Sequence, residues 1–496
     1  IHYQLAPEQT ATGFQNFRAL GILSSIVGGY DNPGTNRGMS RVPVDAGGVM
    51  NPYNSPLIPK ADSRPKVDAD KYIVWTTSDA HMVLRAVLED DPYPIRSSIA
   101  ITGDFLNQCN ANYSFEALCS MDFNVGANLW HHPHTDQSDI LLPCQHWLEI
   151  PGFARISQGS HGSFGMSEHC IEPLGEAKFD VEIGILQHKQ AGIPYYDPAE
   201  TDEKGYPDDW SPISRYLDAQ VKGTGMTGQE YRDKFQTEGT FSCKEYYPEI
   251  WGTYQRYRTG KLRQRNAMQT YPGDNKPGMT THTMKCEIWS TALETLFAWR
   301  SEEEMPEPLQ GKVDDISQIA FPEWIPAPLS MENSPEQFEK YPLLCTTGAR
   351  NPTYFHTEHR QLPWCRELWP VPRMTINPAD AEPLGLSQGD WAWIENDQGK
   401  IRQMVDLYAG IKQGTINLEH AWWFPEINDA SHGWQLCHCN VLVDRWAQDP
   451  FVGSSQLRAY PVKVYKATAE NSPFGNPVPC ADDGTPSLDP ALAEAL

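Results

Sequence analysis

The sequence predicts an α/β unit with a doubly wound parallel sheet, followed by a connector region and a C-terminal β-barrel of the six-stranded type. Apolar strand-like runs alternate with helical periodicity from Lys71 onward, which is typical of a parallel sheet. The stretch 301–340 holds ten Asp or Glu, two Lys and six Pro, so it reads as an exposed connector. After Tyr341, short β-rich runs separated by turn signals favour a closed barrel.

These patterns give five predicted units. They are an opening helix with an irregular segment at 1–70, the α/β dinucleotide-binding unit at 71–190, an aromatic-rich insert with the acidic connector at 191–340, the barrel at 341–465 and a tail at 466–496.

Composition excludes several classes of protein. The 496 residues carry 39 Lys and Arg against 64 Asp and Glu, a net charge of −25, which argues against a general nucleic-acid or anionic-membrane binder. No apolar run approaches the ~18–20 residues of a membrane-spanning helix. The 11 cysteines are odd in number and include no CxxC pair, which favours a reducing or anaerobic setting over a disulfide framework. Cys437-His438-Cys439 is interpreted as two buried thiols in a strand rather than a metal ligand set.

The opening helix is predicted from Phe14, Phe17, Leu20, Leu23 and Ile26, which recur at about one turn, with Thr12 and Gln15 at capping-box spacing. The α/β unit should contain the strands Tyr72–Trp75, Ser97–Gly103 (buried), Phe123–Asn128 and Asp139–Pro143, and the helices His81–Glu89 and Tyr113–Ser120. Since ligands bind off the carboxyl ends of such strands, the loops after Gly103 and Asn128 are the expected binding edge.

The barrel strands are predicted from short β-rich runs bounded by turn residues. These are Leu343–Thr347, Val371–Ile376, Trp391–Glu395, Ile401–Tyr408 and Thr415–Leu418.

One segment of the barrel is basic against the acidic background. Residues 345–375 hold Arg350, Arg360, Arg366 and Arg373 against Glu358 and Glu367, a balance of 4 − 2 = +2, plus His356 and His359. The small-residue turn before Arg350 would let backbone N–H groups approach a phosphate that the guanidinium clamps. The alternative is a solvated surface patch whose basic side chains pair with neighbouring acidic ones.

A second candidate is the loop His131–Asp139, which has three histidines and two further acids. These residue types suit zinc, but no HExxH is present and a proline lies inside the loop, so histidines lining a ligand pocket are favoured. Two further features have structural interpretations: Asp180 as an N-cap of the following helix, and Trp422-Trp423 as core packing.

Several motifs, taken in order, resemble the molybdopterin oxidoreductase family, the dimethyl-sulfoxide-reductase group. They are GFQNFRALGILSSIVGGYDNPGTNRG, YPIRSSIAITGDFLNQ, HTDQSDILLPCQHWLEIPG, IEPLGEAKFD, TTHTMKCEIWS, YPLLCTTGARNPTYFHTEHRQLP, INPADAEPLGLSQGDWAWIENDQGKI and LEHAWWFP. The match covers about residues 1–465. Departures include Asp104-Phe105-Leu106 before Asn107, where members usually read G-x-N-P, Ser138 where Ala is usual, and a missing Gly before Lys285.

The resemblance implies a bis-molybdopterin guanine dinucleotide cofactor with molybdenum or tungsten. Its implied cofactor-binding residues are Gly103, Asn107, Asn128, His134, Asp139, Thr347, Gly348, Arg350, His356, Thr357, His420 and Asn440. The family's cysteine-rich iron–sulfur motif and its protein-derived metal ligand are not recognisable in the chain. We therefore expect it to be the C-terminal part of a larger subunit, with any iron–sulfur cluster in the missing upstream part, and we name no catalytic residue and no metal ligand.

The expected function is that of a molybdenum or tungsten oxidoreductase acting on a small organic or inorganic substrate, with aromatic dehydroxylation as one form. An iron–sulfur electron-transfer subunit is the expected partner, and localisation stays open between cytoplasm and twin-arginine export. Three alternatives remain: a non-redox hydratase or transhydroxylase of the same family, a non-catalytic binding subunit, and a zinc hydrolase built on His131–Asp139.

Overall fold

The structure is a computed structural model. It describes residues 6–35, 67, 80–150, 153–156, 163–168, 170–191, 217, 221, 224–242, 254–259, 278–279, 281, 283–297, 317–324, 326–348, 351–427 and 430–472.

Twelve strands are described: β1 Ser97–Ile101, β2 Phe123–Asn128, β3 Ile140–Pro143, β4 Phe153–Ile156, β5 Ser163–Ser167, β6 Phe241–Ser242, β7 Leu343–Thr347, β8 Arg373–Ile376, β9 Trp391–Asn396, β10 Gly399–Leu407, β11 Thr415–Leu418 and β12 Tyr460–Lys466. The α-helices are α1 Gly13–Ile26, α2 Ala80–Glu89, α3 Ala111–Ser120, α4 Pro133–Asp136, α5 Asp180–Ala191, α6 Gly228–Glu238, α7 Arg256–Thr259, α8 Thr291–Phe297, α9 Ser317–Ala320, α10 Pro335–Lys340, α11 Pro363–Leu368 and α12 Pro378–Ala381.

The first sheet is parallel, in the order β1-β2-β3, with α3 crossing between β1 and β2. A doubly wound sheet requires a reversal of strand order, and the described strands follow one another without one, so this part of the prediction is not confirmed. The predicted strand Tyr72–Trp75 lies outside the described residues. The prediction that 97–103 is a buried strand was wrong: β1 ends at Ile101, and Ile99 is 56% exposed. An apolar run does not distinguish a central strand from one at the edge of a sheet.

The barrel is closed and six-stranded, in the order β10-β8-β11-β7-β12-β9, which confirms the prediction. Its sixth strand, β12, pairs antiparallel with both β7 and β9 and thereby closes the ring. Inward-facing apolar side chains fill it, among them Met374, Ile394, Val405 and Ile416, all fully buried. Burial of this kind contributes about 25 cal/mol per Å² of apolar surface, so the barrel has its own core.

A third sheet was not predicted. β4, β5 and β6 pair antiparallel, and α6 packs nearby through Tyr231, whose hydroxyl donates to the carbonyl of Gly165. β6, at residues 241–242, thus pairs with a strand that lies more than seventy residues earlier in the chain.

Several local predictions needed correction. Cys437 and Cys439 are buried, as expected, but they lie at two 3₁₀ turns, Trp434–Leu436 and Cys439–Leu442, rather than in a strand. The opening helix is present, but Thr12 makes no capping-box bond. Asp180 is the first residue of α5 instead of its cap.

Amide side chains join the parallel sheet to the barrel. Asn110 caps α3 through the Tyr113 amide while its Nδ2 donates to the carbonyl of Val443 at 2.7 Å. Asn440, from the barrel side, donates to the carbonyls of Leu106 and Cys109 at 3.2 and 3.1 Å. These bonds fix the loop after β1 against the barrel. Among the described residues, no helix is long and apolar enough to cross a membrane.

Candidate functional site

A cavity of about 720 Å³ lies where the parallel sheet faces the barrel. On one side, the parallel strands β1 and β2 end in the loops at Thr102–Gln108 and Asn128–His132. On the other side, the parallel barrel strands β7 and β11 end at Gly348 and His420. Both walls are thus built from the carboxyl ends of parallel strands, the edge at which open α/β sheets bind ligands.

Asp104 is the acidic group of the first wall. It caps a short 3₁₀ turn, accepting the amide of Leu106 at 3.0 Å, and its other oxygen accepts from Asn107 Nδ2 at 2.5 Å. Burial raises the pKa of Asp104, but three nearby histidines and a hydrogen bond from Thr357 outweigh it, so the net pKa lies below its ordinary value. The group is therefore a carboxylate at neutral pH and places negative charge on this wall.

Two histidines lie beside Asp104. His132 Nε2 faces the amide of Asn128 at 3.1 Å, while its Nδ1, 4.0 Å from Asp104, has no hydrogen-bond partner among the described residues. His134 Nδ1 faces the carbonyl of Gly103 at 3.1 Å. Burial lowers the pKa of both rings, so they are neutral at pH 7.

The three histidines of this loop do not converge on a metal. His131 faces Asp136, whereas His132 and His134 face Asn128 and Gly103. Among the described residues, no group of three His, Cys, Asp or Glu could hold a metal ion. The geometry therefore favours the pocket interpretation over the zinc site for the described part of the chain.

The barrel wall carries a guanidinium directly above a glycine. Arg458 donates through Nε to Gln9 Oε1 at 2.7 Å and through Nη1 to the carbonyl of Thr347 at 2.5 Å. Gly348 has φ +99°, and a Cβ there would overlap the guanidinium. Only glycine therefore allows Arg458 to lie across the end of β7, where it presents a positive charge to the cavity.

The remaining barrel wall is formed by backbone in the left-handed region. His356 has φ +49° and Ala421, next to His420, has φ +58°. The rings of His356 and His420 lie 5.3 Å apart, nearly perpendicular. Such conformations cost about 1–3 kcal/mol each outside glycine and cluster at ligand sites.

The structure brings most of the predicted cofactor residues together. Nine of the twelve line the cavity: Gly103, Asn107, Asn128, Thr347, Gly348, His356, Thr357, His420 and Asn440. His134 lies directly behind Gly103. Asp139 accepts the amide of Asn124 at 2.7 Å, near the start of β2 and so away from the cavity, and Arg350 lies outside the described residues.

Sequence reasoning missed other wall residues. Arg458, Asp104 and His132 line the cavity, as do Gln9 and Glu358. Asp104 and His132 were visible within motifs that had been singled out, and only their roles were not assigned. Arg458 and Gln9 are 449 positions apart and meet through folding alone, so no local pattern indicated them.

Comparison with known proteins fits this geometry. Residues 343–460 match the model of the molydopterin dinucleotide binding domain. A dopamine dehydroxylase from Eggerthella lenta is 41% identical over the whole chain and 51% of its own length. An acetylene hydratase from Syntrophotalea acetylenica is 25% identical over 77% of the chain and 45% of its own length.

Among solved structures, the acetylene hydratase from Pelobacter acetylenicus superposes with a TM-score of 0.60 at 20% identity. The superposition covers 80% of this chain and 49% of the acetylene hydratase chain. The chain spans about half the length of the curated relatives it matches. The likeness of the structures at this identity shows a shared fold.

Proposed function

Because this chain belongs to the molybdopterin oxidoreductase family, we propose that it forms the cofactor-binding part of a molybdenum or tungsten enzyme. Its barrel is a molydopterin dinucleotide-binding domain. The finer proposal is that the cavity between barrel and parallel sheet takes part in holding a pair of pterin guanine dinucleotides. The observation that carries it is the convergence of nine of the twelve implied residues on one cavity.

The residues of the cavity fit such a group. Its volume of about 720 Å³ is that of a site for one small molecule, so the cavity would hold part of the pair rather than all of it. A pyrophosphate needs cationic and N–H donors, which Arg458 and the backbone around Gly348 supply. A pterin edge carries neutral donors and acceptors, and the neutral His132 lines the cavity beside Asp104 as a group of that kind.

The charges on the two walls divide the proposed roles. The Arg458 side favours the anionic pyrophosphate, while Asp104 on the facing wall repels phosphate and favours an N–H-rich heterocycle edge. Asn128, Asn107 and Asn440 orient the loops, since their amides are already bonded to neighbouring protein atoms. The metal, when bound, would supply two-electron chemistry.

The substrate proposal comes from the relatives. The similarity to a dopamine dehydroxylase supports reductive removal of a hydroxyl group from an aromatic substrate. The balanced change is Ar–OH + 2 e⁻ + 2 H⁺ → Ar–H + H₂O, with electrons from an iron–sulfur partner subunit. The similarity to acetylene hydratase keeps a non-redox hydratase as the second candidate, in which water adds without electron transfer.

Metal analysis and GMP release test the cofactor. Protein purified anaerobically from its native source should contain about one molybdenum or tungsten and two GMP per protein after acid hydrolysis. Absence of both would overturn the proposal and favour a non-catalytic binding subunit, and stoichiometric zinc alone would revive the histidine-loop hydrolase.

A dye assay then separates the two reactions. With reduced viologen and a catechol, a dehydroxylase oxidises the dye in step with loss of the hydroxyl group. A hydratase converts acetylene with no change in the dye. That result would favour the hydratase over the dehydroxylase.

A further inference from the structure

Arg360 lies behind the barrel wall of the cavity and contacts it only through backbone. Its side chain is 2% exposed. Nη1 donates to the carbonyl of His356 and, at 3.0 Å, to that of Glu358, while Nη2 donates to the carbonyl of His420 at 3.2 Å. All three acceptors belong to residues that line the cavity.

The environment of this guanidinium is unusual for a buried charge. Among the described residues, Arg360 hydrogen-bonds to backbone carbonyls and lies over the rings of Tyr354 and Trp422, at 4.7 and 5.0 Å. The carboxyl groups of Glu358 and Glu419 interact with its charge from a longer distance. Burial lowers its pKa to about 10, so it stays charged at pH 7. A buried cation normally has an anionic partner, because desolvation costs several kcal/mol.

The segments that Arg360 joins are strained. His356 has φ +49°, His359 has φ +75° and Ala421 has φ +58°, and none of them is glycine. Residues in this region persist only where surrounding contacts hold them. Arg360 is a contact of that kind, since one rigid fork bonds the 356–358 segment and the 420 segment simultaneously.

We propose that Arg360 is the positioning residue that holds His356 and His420 in the orientation needed to bind the anionic cofactor. It does so without touching the cofactor. The inference rests on the proposed function of the cavity. The phosphates of a bound dinucleotide would add negative charge on the other side of the wall.

Arg360→Lys tests the proposal with Arg366→Lys as the matched control. Arg366 is equally buried, at 3% exposed, and also lies over Trp422, but it donates to Glu426 at 2.7 Å. Lysine keeps the charge and cannot bridge both segments. We expect cofactor release from the holoenzyme, followed as GMP leaving the protein fraction at fixed temperature, to accelerate at least tenfold in Arg360→Lys and less than threefold in Arg366→Lys, at similar losses in Tm.

A milder pair of variants covers a failure of Arg360→Lys to accumulate. Tyr354→Leu removes one ring beneath Arg360, and Tyr354→Phe removes only the hydroxyl, which donates to the carbonyl of Trp369. We expect faster release in Tyr354→Leu than in Tyr354→Phe. Equal release from Arg360→Lys and Arg366→Lys, or from the two Tyr354 variants, would overturn the positioning role. A wild type without GMP would instead overturn the proposed function, so the two failures are distinguishable.

Discussion

Gly348 offers the sharpest test of the barrel wall. Its φ of +99° and the guanidinium of Arg458 above it leave no room for a Cβ. In Gly348→Ala the left-handed backbone alone costs roughly 1–2 kcal/mol. The guanidinium must also move, which breaks at least one of its bonds to Thr347 and Gln9, and a hydrogen bond from a charged group contributes about 1.5–3 kcal/mol. We therefore expect the free energy of unfolding to fall by roughly 2.5–5 kcal/mol.

The control is Gly389→Ala. Gly389 has φ +82°, and nothing lies within 4 Å of a Cβ built on it, so this variant should lose only the roughly 1–2 kcal/mol of backbone strain. Urea unfolding measures both variants, and acid-released GMP measures cofactor content. Gly348→Ala should lose most of its GMP, whereas Gly389→Ala should keep it. Equal GMP content and equal stability in the two variants would refute the argument that glycine is required there to seat Arg458.

Two further predictions follow from buried polar groups. Burial raises the pKa of Glu419 from 4.5 to about 7. Because the pKa is higher in the folded state than in the unfolded state, ionisation of Glu419 lowers the free energy of unfolding as the pH rises from about 4.5 to about 7. The total loss is about 3 kcal/mol. Glu419→Gln should flatten stability across that window relative to the exposed Glu367→Gln, and an unchanged pH profile would contradict this. Asn110→Ser should keep the cap of α3 but lose the hydrogen bond to Val443, whereas Asn110→Ala should lose both. We expect the free energy of unfolding of Asn110→Ala to be lower than that of Asn110→Ser by about 1 kcal/mol. Urea unfolding distinguishes the two variants, and identical midpoints would argue against the cap.

Local chemistry explains which elements could be predicted. β7 and β11 were predicted to the residue, because each is a short β-rich run bounded by turn residues. β12 is of similar composition but contains Pro461, and it was not predicted. Pro461 is the second residue of the strand and lies opposite Leu344 of β7. The pairing with β9 begins only at Lys463, so the proline precedes the part of the strand that pairs with β9. Pairing with strands this distant in sequence, such as Tyr460 with Cys345, leaves no signature in the strand itself.

The candidate site divides in the same way. His356, Thr357 and His420 were found because they lie within motifs of fixed spacing, whereas Arg458 and Gln9 come from the two ends of the described chain. The arginines of 345–375 were visible as a basic segment, but the sequence left them open between a surface patch and an anion site. The structure gives Arg360 and Arg366 buried positions over Trp422, so their charge serves packing and positioning.

This placement explains how an acidic chain could carry the anion-binding cavity that we propose. The chain has a net charge of −25, and the field of exposed carboxylates is screened by water and salt within about 8–10 Å. Arg360 is buried just behind the wall, and Arg458 lies on it, so both act through a short, poorly screened path. Asp104 opposes them from the facing wall. In the proposed function, the contrast between Arg458 on the barrel wall and Asp104 on the facing wall would favour one orientation of an extended ligand with phosphate at one end and a neutral heterocycle at the other.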